Sequence, residues 1–247
     1  MPSTTTLILR DARPPDRSAI PEVLTAAFAD TDVGRWLDPD PETRRTHALA
    51  HFDRTTERAL ASGTVRVADE GGEILAAALW FPYPPKADPV TERTPQPLTA
   101  DGGAGRPLGD VLERHRLLDR LLEERHPGSP AHHHLAYLGV RPDRQCQGIG
   151  SYLLIGHHAY LHVAGIPAYL EASDPRNREL YLRHGYTDVG VPIVLPGGIP
   201  IWPMWRPPAP AGAIASAAIV SSSDSPLARL ARRSLRPVGL RESRGTA

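Results

Sequence analysis

Cysteine is nearly absent: Cys146 stands alone in 247 residues. A single thiol excludes an intrachain disulfide and fits a reducing, cytoplasmic setting. Lysine is equally scarce, with Lys86 the sole example, so the 28 basic residues are almost all arginine. They are balanced by 28 acids to a formal net charge of +0, which gives no electrostatic case for a nucleic-acid partner. No apolar run reaches the roughly 18 residues of a membrane-spanning helix, so no membrane partner is expected. The opening MPSTTTLILR has neither a basic n-region nor a long apolar h-region, so no signal peptide is expected there. At 40% hydrophobic residues, the chain can build one sizeable core, or one domain with an appendage.

Weak alternation over Thr5–Arg10 predicts a first strand. Asp16 is placed to cap a helix running through Phe28, with Ile20, Val23, Leu24, Ala27 and Phe28 at helical spacing. Asp30–Trp36 breaks that pattern, and a second helix is predicted over Pro41–Leu60. Thr64–Ala68 and Ile74–Phe81 read as an antiparallel hairpin across Asp69-Glu70-Gly71-Gly72. The second of these strands is apolar throughout, as expected of a central strand buried on both faces. It ends in Trp80-Phe81-Pro82-Tyr83, aromatics that either cap a core or wall a substrate pocket. Residues 82–107 are rich in Pro and Gly without periodicity, the pattern of a lid or a disordered connection. A helix over Leu108–Arg125 follows, with a leucine stripe.

The stretch Leu135–Tyr186 carries the chemistry. A strand, Leu135–Val140, meets a turn and then Gln145-Cys146-Gln147-Gly148-Ile149-Gly150-Ser151, where an apolar helix begins at once. Paired glycines let the backbone approach a ligand closely, and the first helical amides have no intrahelical partner. Such a terminus suits a pyrophosphate. A second strand, Ala168–Ala172, leads to Asp174-Pro175-Arg176-Asn177 and a short helix that Gly185 ends. Thr187–Val191 and Ile199–Trp205 complete the strands, and Pro200 and Pro203 fit an edge position in the last. From Pro207 the chain is low in complexity and then Arg-rich, so 207–247 is expected to be a largely disordered tail behind a domain spanning 1–206. The order is β-α-α-β-β-α-β-α-β-α-β-β, an α+β fold with a mixed sheet.

Gln145, Gly148 and Gly150 as Q-x-x-G-x-G, followed by Asn177, Tyr181, Gly185 and Tyr186 as N-x-x-x-Y-x-x-x-G-Y, resemble the GCN5-related N-acetyltransferase superfamily. Within it, Ala26–Asp30, Leu138-Gly139-Val140, Pro167–Glu171 and Pro175-Arg176-Asn177 are most similar to the puromycin N-acetyltransferase type. The resemblance implies a mostly antiparallel central sheet flanked by helices, with one splayed pair of strands. It implies acetyl-CoA as co-substrate, with the backbone of Leu138, Gly139 and Val140 offered to the pantetheine arm; the expected acceptor is a small-molecule amine, with protein amines left open. The resemblance also puts the connection that begins at Asp30 beside the acceptor, and Phe28, Trp80 and Tyr137 are further candidates for the acceptor pocket.

Acetyl transfer from a thioester to an amine needs an unprotonated amine, a stabilised oxyanion and a proton for the leaving thiolate. Asn177 and Tyr181 share a helix face at i,i+4, so Asn177 can bond the cofactor and the Tyr181 phenol can protonate the sulfur. Glu171, with Tyr169 on one strand face, is a candidate to grip or deprotonate the amine; His133 and His134 are weaker candidates. His132–His134 and the His158/His162 pair invite a metal reading, but neither a HExxH glutamate nor a matching Cys/Asp cluster accompanies them, and no metal is expected. Cys146 reads as a small filler in the loop. Two rivals stay open. A dinucleotide-dependent oxidoreductase would use Gly148 and Gly150, with Glu171 on the ribose, but Leu153 occupies its third small position. A non-catalytic acyl-CoA-binding regulator would keep the loop without turnover.

Overall fold

The computed structural model describes residues 6–85 and 111–208. Most of the Pro/Gly-rich connection, the expected helix start at Leu108 and nearly all of the tail lie outside the described residues. In chain order the elements are β1 (Leu7–Asp11), α1 (Ala19–Phe28), α2 (Asp32–Leu37), α3 (Pro41–Ser62), β2 (Thr64–Glu70), β3 (Glu73–Tyr83), α4 (Val111–Arg125), β4 (His132–Val140), α5 (Ile149–Ala164), β5 (Ala168–Ala172), α6 (Pro175–Arg183), β6 (Thr187–Asp188), β7 (Ile193–Leu195) and β8 (Ile199–Arg206). The sheet runs β1-β2-β3-β4-β5-β8-β6, with β7 also on β8. Among the described residues only β4 and β5 pair in parallel. The fold is therefore α+β with a mixed, mostly antiparallel sheet, not the doubly wound parallel sheet of a dinucleotide-binding oxidoreductase.

The faces of β3 explain the layers. Ala77, Leu79 and Phe81 join Ile20 and Leu24 of α1 and Phe52 of α3 in one core cluster. Ala76, Ala78 and Trp80 point the other way, onto Leu153, Leu154 and Leu161 of α5. A third cluster, Trp36, Leu121, Ile193, Leu195 and Ile201, joins α2 and α4 to the β7–β8 hairpin.

Three sequence expectations are corrected here. Residues 32–37 form α2 rather than a break, because the Thr31 hydroxyl accepts from Gly34 N at 3.1 Å as an N-cap. A Cβ on Gly34 would meet the carbonyl oxygens of Phe28 and Ala29 at 2.4 Å, so the turn into α2 has room only for glycine. Asp16 does not cap α1. It sits in a 3-10 turn, Pro14–Ser18, and takes Arg10 at 2.5 and 2.9 Å while Arg10 also holds Asp69 at 2.6 Å. Arg10's hydrogen bonds, against the opposing effect of burial, hold the Asp16 carboxyl below its usual range. Its contribution to stability is present above that range and drains away as the pH falls through the lowered value. Finally, β8 is not an edge strand. It lies between β5 and the β6/β7 pair. Pro203 O accepts from Val189 N at 2.8 Å. The donor-less nitrogen therefore faces that same side, just past the two-residue β6, and the ladder to β5 loses nothing.

The feature that positions the site is the seam between β4 and β5. They pair only at His133–Ala168 and His134–Tyr169. On the other side of β4, the register to β3 jumps from Leu79–Tyr137 to Trp80–Leu135, leaving Ala136 as a bulge. A bulge bends its strand and sharpens its twist, and from there β4 leaves β5. Beyond the bulge, Gly139 lets α1 lie close: a Cβ there would meet Leu24 Cδ2 at 2.8 Å and Ala27 Cβ at 3.1 Å. Gly139→Val is expected to destabilise the protein by about 1–3 kcal/mol through overpacking. Thermal unfolding checks this, and an unchanged Tm would mean α1 is not seated on β4 as described.

Candidate active site

The glycine loop forms as its residues dictate. Cys146 and Gly148 both adopt left-handed backbone, φ 60° and 82°, and turn the chain from the end of β4 into α5. Gly148 is the N-cap, with no heavy atom within 4 Å of where its Cβ would stand, so the approach to the first amides of α5 is open. Those of Ile149, Gly150 and Ser151 precede the first helical hydrogen bond, Tyr152 N to Gly148 O at 3.0 Å, and have no partner within the helix. Cys146 is exposed, and its Sγ accepts from Arg176 Nη2 at 3.3 Å. The Gln147 side chain stays in the loop, 3.4 Å from Asp143 O.

The β4 edge beside this loop is also open. Arg141 N donates to Leu75 O of β3 at 2.9 Å, whereas Val140 O accepts from Gln145 Nε2 at 3.1 Å. Main-chain groups alternate along a strand. Those of Gly139 therefore face β3, and those of Leu138 and Val140 face the cleft that β5 has vacated.

The cleft continues into a cavity of about 270 Å³. Leu138, Ser173, Asn177 and Tyr181 line it, together with Phe28, Tyr137, His134 and Glu171. Asp174 caps α6, its Oδ1 accepting from Arg176 N at 2.8 Å, with Pro175 in the first turn. This sets Asn177 and Tyr181 on the cavity side. Tyr181 is 8% exposed and packs edge-on against Tyr186 at 5.8 Å. Its hydroxyl has no hydrogen-bond partner among the described residues. Burial raises its pKa well above the usual phenol value, so it is protonated at neutral pH.

Glu171 is nearly buried, and Oε2 lies 2.8 Å from His134 Nε2. Burial alone would raise its carboxyl, but the charge and hydrogen bond of His134, with a smaller contribution from His126, hold it below the usual range. Tyr137 and His51 form a second pair at 2.8 Å. Burial pushes the His51 imidazole down to about 4, and the neighbouring charges of His115, Arg54 and Arg58 add to this.

Two of the four acceptor-side expectations do not line this cavity, although Asp30 stands between the lining residues Ala29 and Thr31. Trp80 is fully buried and stacks on His157 at 4.0 Å on the α5 face. Asp30 is exposed and ion-pairs with Arg44 at 2.9 Å. The His158/His162 metal reading also fails on geometry, because His158 is turned inward to the Tyr186 hydroxyl at 3.0 Å. Sequence reasoning missed several cavity residues: Asp38, His47, His51, His115, Asp119 and Ser173. All but Ser173 come from outside the motif region, and each is a common surface type without a local pattern around it. His126, which the leucine stripe of α4 does not include, was missed as a neighbour of Glu171, 45 positions away in the sequence.

No protein-family model matches the chain. In fold it is similar to a histone acetyltransferase HPA2 and related acetyltransferase from Corynebacterium glutamicum, at 24% identity and TM-score 0.61, covering 84% of this chain and 99% of that one. It is similar also to the C-terminal condensation domain of Ebony, solved with beta-alanyl-dopamine, at 13% identity and TM-score 0.56, with coverage of 83% and 100%. A protein of Pyrococcus horikoshii aligns at 15% identity and TM-score 0.51, with coverage of 83% and 99%. These likenesses establish the architecture: a mostly antiparallel sheet flanked by helices, as in the GCN5-related N-acetyltransferases. No helix among the described residues is long and apolar enough to cross a membrane.

Proposed function

We propose that the chain is an N-acetyltransferase that moves an acetyl group from acetyl-CoA to the amine of a small molecule, by direct attack in a ternary complex. The order of its short motifs suggests the puromycin N-acetyltransferase type. What carries this reading is the parting of β4 from β5 beside the open N-terminus of α5. The main chain of Leu138 and the Val140 N–H, which face the gap while Gln145 Nε2 holds Val140 O, suit the amides of a pantetheine arm, which can pair with them as an added strand would. The terminus running from Gln145 through Gly148 to Ser151 suits the pyrophosphate, with Asn177 as a further polar contact.

Phe28 and Tyr137 then border the acceptor. The amine nitrogen bonds to the thioester carbonyl carbon and the C–S bond breaks. The departing sulfur takes the Tyr181 proton, and the amine proton passes to Glu171, directly or through His134. Solvent exchange afterwards restores both groups.

Calorimetric binding of acetyl-CoA against NAD(H), together with release of free CoA thiol over a panel of amines, tests the reading. Binding without release for any amine favours the non-catalytic acyl-CoA-binding regulator, and failure to bind acetyl-CoA sinks both. Glu171→Gln keeps the shape of the site and removes the proton acceptor. It is expected to lower kcat/KM for the amine by about 100-fold, with acetyl-CoA affinity unchanged. Wild-type kinetics in this variant would remove Glu171 from the acceptor side.

A further inference from the structure

Beside the cavity, a chain of ring nitrogens ends in an electrostatic mismatch. His132 Nδ1 lies 2.9 Å from the carbonyl oxygen of Pro130, an acceptor only, so Nδ1 carries the hydrogen. In neutral His132, Nε2 is then a bare acceptor. It lies 3.0 Å from His126 Nε2, which must therefore be the donor. That leaves His126 Nδ1 as a lone pair, and it faces Glu171 Oε1 across 3.9 Å. The His126 and Glu171 side chains are only 4% and 9% exposed. Glu171 Oε1 is buried without a hydrogen-bond partner; the Tyr169 hydroxyl is nearby but does not meet hydrogen-bond geometry. Two buried acceptors facing each other are unfavourable unless a positive group sits between them.

A proton on His126 is the first way to supply that charge. Burial opposes it, because the His126 side chain is only 4% exposed and a charge there is taken out of water. The second is a metal ion, and the surroundings are built for one. His134 Nε2 approaches the other carboxylate oxygen at 2.8 Å, and the three ligand atoms of His126, His134 and Glu171 lie within 4.8 Å of one another. A tetrahedral ion with bonds of about 2.0–2.2 Å needs its ligands a little over 3 Å apart, between the separations found here. Tyr83 lies over His126 at 4.1 Å, and the Tyr169 ring meets its edge at 4.8 Å, which walls the cluster from water. On the remaining side, His134 and Glu171 line the cavity.

We propose that His126 Nδ1, His134 Nε2 and the Glu171 carboxylate form a binding site for a divalent transition-metal ion of the zinc type. In the metal-free site His134 Nε2 donates to the Glu171 carboxylate; on loading that proton is displaced to solvent or to Nδ1, and the Nε2 lone pair so freed goes to the ion. A consequence rests on the proposed transferase reading: the loaded site occupies both groups that would take the amine proton, so the ion inhibits acetyl transfer.

The test uses the full chain, stripped with a chelator and titrated with Zn2+ by calorimetry, and with Co2+ followed by visible absorption. One equivalent is expected to bind, with the Co2+ spectrum of a low-coordinate nitrogen/oxygen site. His126→Ala is expected to weaken Zn2+ binding by about 100-fold or more, since losing even an outer partner of a metal ligand costs 10–100-fold. His162→Ala, on the far helix, should leave binding unchanged. Circular dichroism and Tm establish that each variant is folded. Absence of a stoichiometric site, or binding equally strong in His126→Ala, overturns the proposal. So does a nitrogen-15 NMR spectrum of the metal-free protein with His126 doubly protonated at neutral pH. Acetyl-CoA affinity, measured on the same metal-free samples, is unaffected by any of these outcomes and judges the transferase reading separately.

Discussion

Tyr181→Phe is expected to lower kcat by about 100-fold or more while moving acetyl-CoA affinity little. The ring stays, and with it the edge contact to Tyr186, so packing is preserved and only the hydroxyl is lost. That hydroxyl has no partner among the described residues to leave unsatisfied when it is removed. A buried phenol held above its usual pKa enters the reaction protonated, and its proton matters most as the sulfur gains charge. The loss therefore falls on turnover rather than on binding. Pre-steady-state measurement should establish that chemistry limits the rate. If Tyr181→Phe then turns over the amine at the wild-type rate, the tyrosine is a packing residue and not the acid.

Gly150→Asp is expected to weaken acetyl-CoA binding by about 100-fold, equivalent to nearly 3 kcal/mol, without unfolding the protein. A Cβ at Gly150 would stand 3.8 Å from Leu138 Cδ2, Val140 Cγ2 and Leu180 Cδ2, an ordinary contact distance. A methyl group fits, so Gly150→Ala serves as the near-silent control. The carboxylate of aspartate adds a negative charge in the first turn of α5, where an anionic pyrophosphate would meet like charge. The same carboxylate in the first turn of α5 favours the helix through its dipole, so Tm should hold or rise. Wild-type affinity in Gly150→Asp would mean that the terminus of α5 does not hold the pyrophosphate.

Much of the backbone around this candidate site was legible in the sequence because it is set by near neighbours in the chain. Gly148 at positive φ, Asp174 capping the helix that Pro175 opens, and Gly185 at φ 83° each act within a few residues of themselves. The continuous apolar run of β3 correctly read as buried on both faces, but the same uniformity concealed which face each residue takes. Trp80 therefore looked available to a pocket, whereas its alternation with Ala76 and Ala78 turns it to α5. Pro200 and Pro203 suggested an edge because a proline lacks a donor, yet only one side of a strand feels that lack, and which side depends on register. His126 and Glu171 meet through tertiary packing alone, with no periodicity to link the end of α4 to β5.

The seam between β4 and β5 also bears on how the molecule coheres. It divides the sheet into two sequence-contiguous leaves, β1–β4 within residues 7–140 and β5–β8 within 168–206. Each leaf builds most of its ladder internally, and two residue pairs join them along the sheet. Such a join is a natural boundary between cooperative units, braced here by α5 below and by the third core cluster above. A co-substrate laid in the gap would touch Leu138 and Val140 on one leaf and Asn177 beside the other, acting as a tie across the weakest line of the sheet. On the proposed reading, ligand binding and the mechanical unity of the domain would meet along the same seam.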